Sequence, residues 1–170
     1  MKKMVGAIMG LIALILSGCG MFMSEDDALK KTKEVSETAF SEEDVKSNTD
    51  ALGFTLYLPD SMEISDESKS NLIIAEGDQT FILFYNSMEE RTSKLNYESA
   101  SKVEDNILLE AFEDDDRFGY VRILPINEQD KYELQVGVGG VKITTYTEKS
   151  DLPDDAEKMM KIANSIAYTE

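Results

Sequence analysis

Tyr132-Glu133-Leu134-Gln135-Val136-Gly137-Val138-Gly139-Gly140-Val141-Lys142-Ile143-Thr144-Thr145-Tyr146-Thr147 decides the fold. In its first arm Tyr132, Leu134, Val136 and Val138 alternate with Glu133, Gln135 and Gly137. In its second arm Val141, Ile143 and Thr145 keep the same period of two. Such alternation places one row of side chains on a core and the other toward water, the pattern of a half-buried strand. Gly139-Gly140 stands between the arms. Tight hairpin turns demand positive φ, which glycine adopts freely, so the pair predicts an antiparallel hairpin.

Downstream of the hairpin the period changes to that of a helix. Ser150 or Asp151 is placed to cap it, Pro153 lies near its first position, and Asp154, Asp155 and Glu157 complement the positive end of its dipole. Ala156, Met159, Met160, Ala163 and Ile166 fall on one apolar face. Upstream, residues 107–112 and 118–126 read as strands, with Glu113-Asp114-Asp115-Asp116 as the hairpin tip between them. Residues 87–106 are polar and read as a loop or short helix that crosses the sheet, carrying Tyr97, Ala100 and Val103.

Residues 80–85 are apolar after the first, and a run apolar on both sides predicts a central strand covered on both faces. Residues 62–65 and 72–75 read as short strands around a polar turn. Phe54, Leu56 and Leu58 alternate in a strand that begins at Gly53 and stops at Pro59-Asp60. No internal repeat or low-complexity tract interrupts this order. It predicts an α+β fold, a mostly antiparallel sheet with a C-terminal helix packed on it.

At the other end of the chain, Lys2 and Lys3 precede an uncharged apolar run that closes on Leu16-Ser17-Gly18-Cys19. This segment resembles the signal sequence of a bacterial lipoprotein. The resemblance implies cleavage between Gly18 and Cys19 and a diacylglycerol thioether on Cys19. It also implies a mature chain held on the extracytoplasmic face of the cell membrane. The alternative is an uncleaved anchor, since residues 4–23 could just cross the hydrocarbon core. Cys19 is the only cysteine, so no intramolecular disulfide can form.

The expected organisation is therefore a signal peptide at 1–18, an acidic membrane-proximal helix or tether at 19–51, and a single α+β domain at 52–170. The middle segment carries Glu25, Asp26, Asp27, Glu42, Glu43 and Asp44. Leu29, Thr32, Val35 and Ala39 form a helical stripe, and Ser24 with Asp27 has capping-box spacing. The reading is a helix of modest stability or a partly disordered tether, in either case outside the core, and a tether of this kind would lift the domain off the headgroups.

Residues 53–167 are similar in order to the PsbP-like α/β/α sandwich, a group that includes envelope lipoproteins of undetermined role. The resemblance rests on the opening strand GFTLYLP and the ending GGVKITTYTEKSDLPDDAEKMMKIANSI. It brings no active-site residue with it.

Composition narrows the chemistry. With 17 basic residues against 34 acidic, the formal charge is −17, which opposes binding to nucleic acid and to anionic lipid and favours a cationic envelope protein as partner. The chain has no histidine, which removes imidazole bases, serine–histidine triads and histidine-ligated zinc. Ser99-x-x-Lys102 matches one part of a three-part serine–lysine motif whose companions are missing, and reads as solvated surface. Gly137-x-Gly139-Gly140 opens no helix, so it fails the context test for a phosphate loop.

The expectation is a non-catalytic binding or interaction module with no catalytic residue, metal or cofactor. Its contacts would come from an exposed sheet face or edge bearing Tyr57, Tyr85 or Tyr146. Two alternatives stay open: a small envelope hydrolase using a carboxylate pair, and an acidic domain that binds calcium at Glu113 to Asp116.

Overall fold

Seven strands pair antiparallel throughout, in the order Glu63–Glu67, Asn71–Glu76, Gln79–Tyr85, Val141–Thr147, Tyr132–Val138, Phe118–Leu124, Leu108–Glu113. The structure is a computed structural model and describes residues 23–42 and 45–168. The cleavage and lipidation positions, Gly18 and Cys19, lie outside the described residues. In chain order the elements are α1 (Glu25–Ser41), β1 (Thr49–Ala51), β2 (Phe54–Leu56), β3 (Glu63–Glu67), β4 (Asn71–Glu76) and β5 (Gln79–Tyr85). Then come α2 (Leu95–Ser101), β6 (Leu108–Glu113), β7 (Phe118–Leu124), β8 (Tyr132–Val138), β9 (Val141–Thr147), α3 (Leu152–Ser165) and β10 (Ala167–Tyr168). β1, β2 and β10 form a second sheet of three strands. The α+β expectation holds.

The 132–147 hairpin is β8 and β9, with Val138 paired to Val141 across the turn. Gly139 there has φ +53°, and a Cβ on it would lie within 2.8 Å of the Glu90 and Arg91 backbone. Glycine is thus required twice, for conformation and for close approach. Leu134, Val136, Val138, Val141 and Ile143 face inward and are buried, as the alternation predicted.

The inner face of the sheet lies under α1, α3 and the small sheet. Helix α3 buries Ala156, Met159, Met160, Ala163 and Ile166, the face read from sequence. Asp151 occupies its N-cap, but neither it nor Ser150 makes a side-chain cap bond, so that expectation is corrected. Phe54 and Leu56 of β2 are fully buried, and the Phe54 ring meets the Tyr85 ring at 4.8 Å.

Two further expectations are overturned. The segment 19–51 does contain a helix, α1, but that helix does not lie outside the core. Ala28, Thr32, Ser36, Ala39 and Phe40 are buried, and the helix lies against α3 and the β6–β7 end of the sheet. Small residues at Ala28, Thr32 and Ser36 let the two helices approach closely. The Thr32 hydroxyl is satisfied by donating to the Ala28 carbonyl at 2.7 Å. The buried stripe is displaced from the expected one, with Leu29 and Val35 left half-buried at its edge. Ser24 does cap the helix, accepting from the Asp27 N–H at 3.1 Å.

Strand β5 is not covered on both faces. Phe81, Leu83 and Tyr85 point into the core, whereas Ile82 and Phe84 point to solvent at 50% and 37% exposure. A doubly apolar strand therefore sits on a sheet whose second face is partly bare.

Candidate functional site

The outer face of the large sheet can be read as cross-strand rows, because register fixes which side chains stand beside each other. One row runs Ala111, Tyr120, Gly137, Lys142, Phe84, Asn71. The next runs Leu109, Arg122, Gln135, Thr144, Ile82, Ile73, Asp66. A third begins with Leu124, Glu133 and Tyr146. The face divides into two halves.

The half over β6, β7 and β8 is covered by the segment that carries α2, the crossover expected from sequence. Tyr97 of α2 packs edge-on against Phe118 at 5.3 Å and Tyr120 at 6.1 Å. The Tyr120 ring lies over Gly137, where a Cβ would come within 2.4 Å of it. Its phenol is sealed without a hydrogen-bond partner, and burial raises its pKa.

Arg122, only 6% exposed, ties this cover down. Its Nε donates to Asn106 Oδ1, and Asn106 Nδ2 in turn donates to the Val103 carbonyl at 2.7 Å and the Ala100 carbonyl at 3.1 Å. The carbonyls at the end of α2 are thereby satisfied by a side chain fixed to the sheet. Asn106→Ala should leave the sheet intact while amide exchange across residues 95–101 accelerates. Unchanged protection there in hydrogen-exchange mass spectrometry would remove this role from Asn106.

The other half, over β4, β5 and β9, has no cover among the described residues. Ile82 and Phe84 stand exposed here with Tyr146, which is 49% exposed, and Ile73 lies beside Ile82. The Arg122 Nη1 donates to Gln135 Oε1 at 3.3 Å, and Gln135 Nε2 donates to Glu133 Oε1 at 2.8 Å. The Tyr146 hydroxyl donates to Glu133 Oε2 at 3.2 Å, and the Glu133 charge beside it raises its pKa. A polar ladder thus borders the apolar centre on one side. Glu63 and Asp66 of β3 border it on the other.

Of the three tyrosines singled out, one reaches this face. Tyr146 does; Tyr85 is turned into the core, a correction that follows from its place on the inward row of β5. Tyr57 is half-buried beside α3 in a shallow cleft with Pro59, Asp154, Glu157, Lys158 and Lys161. The two lysines of that cleft are already held, Lys158 by Glu76 at 2.7 Å and Lys161 by Glu157 at 2.8 Å.

The acidic residues behind the two alternatives are engaged as follows. At the hairpin tip Glu113 pairs with Lys94 at 2.8 Å, and Asp114 pairs with Arg117 at 2.8 Å. These two acids are neutralised by separate cations, and among the described residues no three metal-ligating side chains gather. Asp155, 3% exposed, has its pKa raised by burial, but its carboxylate is closed in by Thr147 and Gln79 at the start of α3. Ser99 and Lys102 are both exposed at the end of α2.

No family model matches the chain, and no curated protein matches it. Among solved structures it is similar to the solution structure of cyanobacterial PsbP (CyanoP) from Synechocystis sp. PCC 6803. The identity is 12% and the TM-score 0.46, over 76% of this chain and 96% of that one. So loose a likeness carries nothing about function or about the signal segment. The sequence points to an exposed sheet face through Tyr146 alone, and misses its apolar centre: the run 81–85 predicts a strand covered on both sides, whereas Ile82 and Phe84 are exposed.

Proposed function

We propose that this chain is a lipid-anchored, non-catalytic binding module on the extracytoplasmic face of a bacterial cell membrane. It takes a cationic envelope protein on the open half of its outer sheet face. The observation that carries the reading is the exposed group Ile82, Phe84 and Tyr146, brought together by strand pairing on the half of the face that no described helix covers. Apolar side chains clustered on a surface and rimmed by polar ones are the usual mark of a contact site. Glu63, Asp66 and Glu133 outnumber Lys142 around them, and on a chain of charge −17 this acidic excess favours a partner with basic residues around an apolar anchor. The anchor is supported by Leu16-Ser17-Gly18-Cys19.

A photo-crosslinking residue placed at Ile82 should give one discrete adduct in living cells. The same group at Lys30, exposed on α1 away from this face, should give none. Ile82→Asp should abolish the adduct of a photo-crosslinker placed at Tyr146, at a stability cost of about 1 kcal/mol from the poor strand propensity of aspartate. Equal adducts from both positions, or none, would overturn the docking face. For the anchor, the mature wild-type protein should carry a diacylglycerol mass that Cys19→Ala lacks. Identical masses apart from the substitution would overturn it.

A further inference from the structure

The first described residue already touches the core. Met23 packs against the buried cluster, and Ser24 caps α1 immediately after it. The start of α1 is fastened to the sheet, since the Tyr132 hydroxyl donates to Glu25 Oε2 at 2.6 Å. Burial, with this bond and the Glu25 charge, pushes the Tyr132 pKa up to about 12. Cys19 to Met23 is four residues of chain, which reach at most about 14 Å when fully extended.

We propose that the domain stands on the membrane by one defined end, with its open sheet face turned sideways toward neighbours on the same membrane surface. This rests on the lipid-anchored reading above. The proximal end is the one where α1 starts. Glu25 meets Tyr132 at the start of β8, Tyr132 pairs with Thr147 at the end of β9, and Thr147 bonds to Asp155 at the start of α3. The connection 125–131 therefore lies at this end, and the 114–117 hairpin tip lies at the other, beyond the full length of β7. Strand β7 alone separates them by about 20 Å.

The net charge of −17 opposes adhesion of the domain to anionic headgroups. The proximal end carries Glu25, Asp26, Asp27, Glu128, Asp130 and Glu148 against Lys131 and Lys149, an acidic excess that anionic headgroups repel over a screening distance of about 8–10 Å. The short leash, and no attraction, keeps this end down. The rows of the outer face cross strands that run from one end to the other, so the face stands along the membrane normal. A partner approaching it comes from beside the domain.

The test uses the full lipidated protein in phosphatidylcholine vesicles. With the Cys19 thiol capped by its thioether, a cysteine at Glu128→Cys or Asp115→Cys takes a single fluorophore. A nitroxide on the lipid headgroup should quench the Glu128→Cys label several-fold more than the Asp115→Cys label. Inserting ~12 Gly/Ser residues after Gly20 should erase the difference, because a flexible linker frees the orientation. Equal quenching of the two labels in protein that floats with vesicles would overturn the upright posture. Protein that fails to float, or that takes a second dye at Cys19, would overturn the lipid anchor instead.

Discussion

Phe40→Ala is expected to cost about 3–5 kcal/mol of stability, the range for emptying a buried aromatic site. That is a large share of the ~5–15 kcal/mol that holds a domain of this size together. Phe40 is buried at the end of α1, its ring 5.8 Å from that of Phe112, with the Arg117 guanidinium 4.8 Å from its centroid. A Cβ on Gly119 would lie 2.7 Å from it, so glycine leaves the room the ring occupies. Asn164 of α3 donates to the Ala39 and Phe40 carbonyls at 2.8 and 3.1 Å, so the loosened site also strains the junction of the two helices. Thermal or urea unfolding measures the loss. A shift of less than about 0.5 kcal/mol would return α1 to the role of a surface tether.

The second large effect is at Asp155. Its Oδ2 accepts from the Thr147 hydroxyl at 2.6 Å and from Gln79 Nε2 at 2.8 Å, while Lys158 lies 4.0 Å from Oδ1. Asp155→Ala leaves two inward donors without their acceptor and should cost about 2–4 kcal/mol. Asp155→Asn keeps a carbonyl for both donors and isolates the charge. Burial holds this carboxyl above its ordinary value, against the pull of Thr147, Gln79 and Lys158. An acid raised in this way favours the folded state fully below its unfolded value, and that contribution is lost as pH rises through the folded value. The asparagine variant loses nothing over that window. Its stability relative to wild type should therefore improve from acid to neutral pH. Glu76 and Asp114 run the opposite way: burial opposes their ionisation, but Lys158 and Arg117 outweigh it and hold both below their usual range. Their contribution is lost on acidification, in both proteins alike. A relative stability that is flat or falls toward neutral pH would contradict the buried-charge account.

How much was legible depended on whether the signal was local. The β8–β9 hairpin, the apolar face of α3 and the crossover at 87–106 could be read because period and turn chemistry lie within a few adjacent residues. Helix α1 was misplaced because its contact stripe is Ala28, Thr32, Ser36 and Ala39, residues whose size fits a tight helix–helix approach but whose polarity looks like surface. The second face of β5 was misread because hydrophobicity alone does not distinguish a covered strand from an exposed contact surface. The ladder Asn106, Arg122, Gln135, Glu133, Tyr146 depends on the register of three strands and on the loop that brings Asn106 to them, and no sequence pattern announces it. Asp155 was read as a helix-dipole charge. Its burial came from Gln79, on a strand far away in sequence.

The pairing of β5 with β9 has a kinetic consequence. Strands β3 to β5 form one meander of neighbours in sequence, and β6 to β9 form another. The seam between them joins Phe81 to Thr145 and Tyr85 to Val141, a closure that waits for roughly sixty further residues to be made. A chain emerging N-terminus first can finish its early meander but leaves the β5 edge unpaired, with Phe81, Leu83 and Tyr85 uncovered. Helix α3 arrives only after β9, so the seam and its lid are completed almost together. Until that moment the nascent chain presents a sticky strand edge, and chaperone capture or aggregation during biogenesis should centre on β5.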